Sequence, residues 1–133
     1  MFLLDTNILS DLIRHPQGVI ASRIAEVGET EIATSIVVAG ELRYGAERHG
    51  SSRLTAQLEA VLELLPTLPL GDGADIHYGR LRADLERRGT PIGANDMLIA
   101  AHALSLGATL VTDNVREFER VEDLAVANWL RDA

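Results

Sequence analysis

Neither cysteine nor lysine occurs anywhere in the 133 residues. Without cysteine there is no disulfide framework, no thiolate zinc site and no thiol nucleophile, and a reducing compartment, by default the cytoplasm, is expected. Without lysine there is no ammonium group to set on a transferring phosphoryl. That weakens three acidic-site competitors: P-loop nucleotide hydrolases, receiver domains and haloacid-dehalogenase-type phosphatases. Long apolar runs are missing too. The opening Met1-Phe2-Leu3-Leu4 meets Asp5 with no basic segment before it, and no stretch approaches the roughly 20 residues that span a bilayer. Neither a signal peptide nor a membrane association is expected. Positive charge is scarce: 20 acidic against 12 basic residues give a formal net charge of −8. A uniformly acidic surface repels a polyanion, so charge alone argues against a nucleic-acid substrate. Two features pull the other way. A bound cation can neutralise some of the acids, and every basic residue is arginine, the side chain best shaped for bidentate phosphate contact.

What is present is enough for one folded unit. A chain of this length that is 47% apolar can bury one sizeable core, and the expectation is a single domain over residues 1–133. Phe2-Leu3-Leu4 is a continuous apolar run of the kind found in strands covered on both faces, and Thr6 is suited to cap a helix through Ile8, Leu9, Leu12 and Ile13. A second helix is expected around 19–27, closed by Gly28, then a strand over 31–35 and a helix over about 37–48. Leu54, Leu58, Val61, Leu62 and Leu65 recur at the helical period and make one apolar stripe, facing either a core or a partner. A short strand near 66–70 and a helix over 75–88 follow. Residues 95–106 read as a helix apolar nearly all round, hence buried, with Asn95 available as its cap and Gly107 as its stop. The last expected elements are a strand at 109–112, a helical turn at 115–118, and an edge strand near 124–127 with Trp129 folding back. Alternating strands and helices with short connections predict an α/β fold of three layers (α/β/α) around a mainly parallel sheet of four to five strands. In such sheets the functional site lies beyond the C-terminal strand ends.

Four acids stand where a purely structural acid is least expected. Asp5 ends an apolar strand, and its plain reading is a helix cap or a charge that complements the helix dipole. Glu41 has Val37, Val38, Tyr44 and Gly45 at helical spacing, so it points toward the apolar side, where an unpaired carboxylate costs several kcal/mol to bury. Asp96 opens the apolar helix, where a dipole role is the alternative. Asp113 follows the strand 109–112 directly, where a plain turn residue is the alternative. Taken together, Asp5, Glu41, Asp96 and Asp113 fall at one edge of one parallel sheet and are expected to converge. Several carboxylates in one pocket repel, so either some are protonated or a divalent cation neutralises them. Oxygen-only ligands select Mg²⁺ or Mn²⁺ over zinc, and such an ion beside a phosphodiester points to its hydrolysis by activated water. The histidines are less suggestive. His102 lies beyond one turn of Asp96 and reads as structural, and His15, His49 and His77 show no ligand spacing.

Four segments carry a family resemblance. Leu3-Leu4-Asp5-Thr6-Asn7, Glu41-Leu42-Arg43-Tyr44-Gly45, residues 91–103 (Pro91-Ile92-Gly93-Ala94-Asn95-Asp96 and the helix after them) and residues 110–118 (Leu110-Val111-Thr112-Asp113-Asn114 through Phe118) resemble, in order, the motifs of VapC-type PIN domains. The resemblance spans nearly the whole chain. It implies a PIN-like endoribonuclease that uses Mg²⁺ or Mn²⁺, forms a homodimer, and serves as the toxin of a toxin–antitoxin pair, held inactive by its cognate antitoxin. Asp5 and Asp96 match the principal metal-binding acids and Glu41 the acid of the second motif. Thr6, Asn7 and Thr112 match polar positions that orient the acids. Relatives often carry an acid two residues beyond the strand-ending Thr; here that place is Asn114 and the acid is Asp113. Arg43, Arg80, Arg82 and Arg116 are the candidates for holding the RNA backbone. Two alternatives are a PIN nuclease for RNA processing outside a toxin pair and a catalytically degenerate domain that binds a partner through the Leu54 to Leu65 stripe.

Overall fold

The first strand is also the middle of the sheet. In the computed structural model, which describes residues 1–131, β1 (Phe2–Leu4) pairs in parallel with β2 (Ile32–Ser35) on one side and β4 (Thr109–Val111) on the other. The edge strands are β3 (Thr67–Leu68) beside β2 and β5 (Val126–Ala127) beside β4, which gives five parallel strands in the order β3-β2-β1-β4-β5. Leu3, Leu4, Ile32, Ala33, Leu110 and Val111 are all buried, as expected of strands covered on both faces.

Helices α1 (Thr6–Arg14) and α2 (Val19–Val27), with a single 3-10 turn at Glu29–Glu31, join β1 to β2. α3 (Ile36–His49) and α4 (Ser52–Leu64) join β2 to β3. α5 (Ala74–Arg88) and α6 (Ala94–Leu106) join β3 to β4, and the four-residue α7 (Val115–Phe118) precedes β5. Each predicted element is found, with ends shifted by a residue or two. The structure is an α/β fold with an all-parallel five-stranded sheet flanked by helices. Among the described residues no helix is long and apolar enough to cross a membrane.

Three local expectations are corrected. Thr6 does not cap α1: it is the first helical residue, and its hydroxyl reaches Glu41 instead. Asn95 does not cap α6, because the cap position is Gly93, and Asn95, the second helical residue, donates to Glu41. The Leu54 to Leu65 stripe is not a free docking face. Leu58, Val61 and Leu65 are buried in the core, and only Leu54 and Leu62 remain partly open. A helix as short as α4 is held by burying its apolar face, and the sheet-side core already uses that face.

Trp129 folds back as expected. It is buried, lies 5.2 Å from the Phe2 ring between centroids, and is approached by the Arg23 guanidinium.

Candidate active site

The C-terminal ends of β1, β2 and β4 bring three polar clusters to one rim. β1 ends in Asp5, which is 4% exposed. Its backbone N–H continues the ladder to the Val111 carbonyl at 2.9 Å, so the sheet itself fixes where its carboxylate starts. Oδ2 accepts from the Thr112 hydroxyl at 2.8 Å and from Asn7 Nδ2 at 3.4 Å. Thr112 is a junction: its oxygen also accepts from Asn7 Nδ2 at 3.3 Å and from the Asn114 N–H at 3.0 Å. Asn7 in turn accepts from the Asp113 N–H at 2.8 Å. Burial raises the Asp5 pKa above its usual 3.8, partly offset by the Thr112 hydroxyl and the Thr6 N–H, and Glu41 adds repulsion. Thr112→Val keeps the shape but leaves Asp5 and the Asn114 N–H short of a partner. The expected cost is about 1–3 kcal/mol, read as an earlier urea midpoint with an unchanged m value.

Glu41 is half-buried on α3. It accepts from Thr6 Oγ1 at 2.5 Å and from Asn95 Nδ2 at 3.4 Å, so α1, α3 and α6 all meet at this one carboxylate. Asp96, in the first turn of α6, is pushed up to about 7: burial comes first, then the hydrogen-bonding contact and charge of Glu117, then the charges of Asp5 and Glu41. Glu117 is the residue that sequence reasoning missed. It sits on α7, accepts from the Gly93 N–H at 2.8 Å and from Asn114 Nδ2, and lies against Asp96. Burial alone would raise its pKa; the Gly93 N–H, Asp96, Asn114 and Arg120 outweigh this and leave it below the usual 4.5. Gly93 leaves room for this approach: a Cβ there would stand 3.1 Å from Asp96 Oδ2, so the carboxylate would have to shift, and 3.8 Å from Glu117 Oε1.

Asp113 does not join this group. Its Oδ1 accepts from Asn128 Nδ2 at 3.0 Å and Arg131 Nε at 3.2 Å, and these partners lower its pKa. The reason lies in the backbone: once the Asp113 N–H turns in to Asn7, its side chain is left toward the C-terminal segment. Asn114 contributes through Glu117 and the Thr112 contact rather than by replacing an acid. The acids brought together are therefore Asp5, Glu41, Asp96 and Glu117, from four different elements.

The remaining candidates fall outside the cluster. His102 is buried, with Nδ1 2.8 Å from Ser35 Oγ. The same oxygen accepts from the Val37 N–H, and burial lowers the imidazole pKa against an opposing backbone contact at Pro69, so the neutral ring is favoured. Arg43 is engaged by Glu59, and Arg82 by Tyr78 at 2.8 Å and Glu86 at 3.2 Å. Arg80 and Arg116 are exposed.

The donor set fits a hard divalent ion. All four acids offer oxygen, and among the described residues no ion pair reaches Asp5, Glu41 or Asp96 to offset their mutual repulsion. Among the described residues no three acidic or histidine side chains form a ready-made cage. Mg²⁺ and Mn²⁺ commonly take one or two carboxylates and fill the other positions with water and substrate phosphate.

Comparison with known proteins agrees with this geometry. The PIN domain family matches residues 2–124. The ribonuclease VapC2 of Rickettsia felis is 36% identical over 131 residues, 97% of this chain and 98% of the relative. The tRNA(fMet)-specific endonuclease VapC of Salmonella typhimurium is 37% identical over 129 residues, 96% of this chain and 97% of the relative. Among solved structures, a chain of VapBC2 from Rickettsia felis, bound to a DNA fragment from their promoter, superposes with a TM-score of 0.89 at 34% identity, covering 96% of this chain and 98% of that one. A chain of DNA-bound VapBC from Salmonella typhimurium gives 0.86 at 37% identity, covering 96% and 97%. A parallel sheet whose rim gathers acids from the end of β1 and from α3, α6 and α7, in a chain matched over nearly its full length by these relatives, places the protein in the PIN-domain family, among its VapC ribonucleases.

Proposed function

We propose that this chain is a Mg²⁺- or Mn²⁺-dependent endoribonuclease that acts as the toxin of a toxin–antitoxin pair, with Asp5, Glu41, Asp96 and Glu117 as its working acids. The observation that carries the metal dependence is the uncompensated charge: Asp96 is held up to about 7 by burial and by three neighbouring acids, with no guanidinium paired to it. A bound divalent ion supplies the charge that pins a phosphate and lowers the pKa of an attacking water. The chain's residues do the rest. Asp5 and Asp96 hold the ion, Thr112 and Asn7 orient the Asp5 carboxylate, and Thr6 and Asn95 orient Glu41. Glu117 faces Asp96 from α7, and with Glu41 it is available to accept a proton from the water. Asp113 serves by holding Asn128 and Arg131 rather than by binding the ion.

RNA is the proposed substrate, in keeping with the tRNA endonuclease name of the Salmonella relative, and the cytoplasm the proposed setting. The antitoxin is proposed to dock in the largely apolar groove of about 390 Å³ beside the acids, whose lining includes Thr6, Glu41, Leu42, Ala46, Leu54 and Leu58. There it can cover Thr6 and Glu41 and bury what remains open of Leu54. A homodimer is proposed on the exposed apolar side chains Ile36, Tyr44, Leu70 and Ile76. The toxin role is favoured over general RNA processing by the VapBC complexes among the structural relatives.

The test is cleavage of total cellular RNA by the purified chain. The expected result is cutting at few sites with Mn²⁺ or Mg²⁺, arrest by EDTA, and no cutting by folded Asp5→Ala. Undiminished cutting in EDTA would remove the metal from the proposal.

A further inference from the structure

The short helix that carries Glu117 cannot hold its own position. Four residues are far below the length at which a helix is stable in water, and the facing segment, residues 89–93, has no regular structure. Phe118 and Val121 anchor the turn from below by burial. The polar ties come from the side. Glu117 accepts from the Gly93 N–H at 2.8 Å, and Arg120 Nη1 donates to the Pro91 carbonyl at 2.9 Å. These two bonds run in opposite senses between the same two segments, two residues apart on one and three on the other. Arg120 is itself fixed from behind, since its backbone carbonyl accepts from Arg88, which is held by Asp84 at the end of α5.

Resting on the nuclease reading above, we infer that Arg120 is a positioning residue: by clamping the Pro91 carbonyl it sets α7 against the approach to α6, and so fixes the Gly93–Glu117 bond and the place of Glu117 opposite Asp96. The geometry favours clamping over phosphate binding, because the guanidinium is already tied through Nη1 to a carbonyl of its own chain. Without Arg120, one backbone N–H is the single direct polar tie between the two segments among the described residues. A shift of about 1 Å in an acid facing the reacting group is enough to cost on the order of 100-fold in rate.

The experiment compares wild type, Arg120→Ala and Arg120→Lys with Arg87→Ala as control, since Arg87 is exposed and pairs with Asp84, away from residues 89–93 and α7. The first readout needs no metal and no substrate: amide hydrogen exchange of Gly93, followed by ¹H–¹⁵N NMR in EDTA. Exchange at Gly93 should quicken at least ~10-fold in Arg120→Ala while core amides such as that of Leu110 stay protected. It should return most of the way in Arg120→Lys, which keeps a cationic N–H donor for the Pro91 carbonyl. The second readout is RNA cleavage: kcat should fall ~10-fold or more in Arg120→Ala with KM changed less than ~2-fold, and Arg87→Ala should match wild type in both.

Unchanged Gly93 exchange in Arg120→Ala overturns the clamp. Faster exchange with unchanged kcat overturns its link to the site, and a raised KM at constant kcat assigns Arg120 to phosphate contact instead. A wild-type protein that cuts no RNA removes the nuclease reading, while Gly93 exchange still decides whether the clamp exists.

Discussion

Asp96→Asn should abolish RNA cleavage and, in the same protein, raise the melting temperature measured in EDTA. The loss follows from removing a charged oxygen from the proposed ion site, where the effect on kcat should be on the order of 1000-fold or more. The gain follows from the same electrostatics that make the site useful. With Asp5, Glu41 and Glu117 close by and no cation paired to it, the Asp96 carboxylate is costly to ionise. An amide of the same shape carries no charge and can donate to Glu117. For a domain of this size each 1 kcal/mol of relief shifts the melting temperature by about 4 °C, so a rise of a few degrees is expected. Mn²⁺, which should stabilise wild type by binding only its folded form, should do so far less in the variant. A variant that is both inactive and destabilised would mean that Asp96 is a structural cap and the cluster is not strained.

The second large effect is a dependence on pH that reverses when metal is added. The folded pKa of Asp96, about 7, lies above its ordinary 3.8, so folding favours its neutral form. The stabilising contribution is fully present below about 4 and is lost as the pH rises through about 7. Asp5 is raised as well and works in the same direction. Glu117 is lowered and works oppositely, with its contribution lost only as the pH falls below its ordinary 4.5, outside the neutral window. Metal-free protein should therefore melt at a lower temperature at pH 8 than at pH 6. Metal binding requires the ionised acid, so the apparent affinity for Mn²⁺ should climb over the same interval. At pH 7 about half a proton should leave per ion bound, seen as a buffer-dependent enthalpy in calorimetry. A binding enthalpy independent of buffer, or melting that is flat from pH 6 to 8, would count against an elevated Asp96.

Much of this was legible in the sequence, for identifiable reasons. Strand and helix periods gave the order of the elements, because Phe2-Leu3-Leu4 and the apolar face of residues 95–106 leave little choice of partner but a covered sheet. Asp5 and Asp96 were visible because each directly follows or opens an element that is otherwise apolar. Glu117 was not, because a glutamate in an Arg-Glu-Phe-Glu-Arg run (residues 116–120) looks like any solvated charge. Only the fold shows that Gly93 and Asp96 lie across from it. The one available signal was Gly93 itself, a small residue just before Asp96. Asp113 misled for the converse reason. Its position after β4 repeats that of Asp5 after β1, but the bond from its own N–H to Asn7 turns its side chain the other way. Sequence spacing places a residue at the rim, whereas the direction of its side chain depends on bonds to residues over 100 positions distant.

The pairing of β1 with β4 makes the aiming of Asp5 a property of the whole sheet. Its N–H is held by Val111 and its carboxylate by Thr112, more than 100 residues further along. A fragment that ends before β4 keeps Asp5, Glu41 and Asp96 but has only the 3.4 Å side-chain contact from Asn7 to orient the first of them. A single proteolytic cut ahead of residue 109 that releases the C-terminal segment should therefore silence the domain.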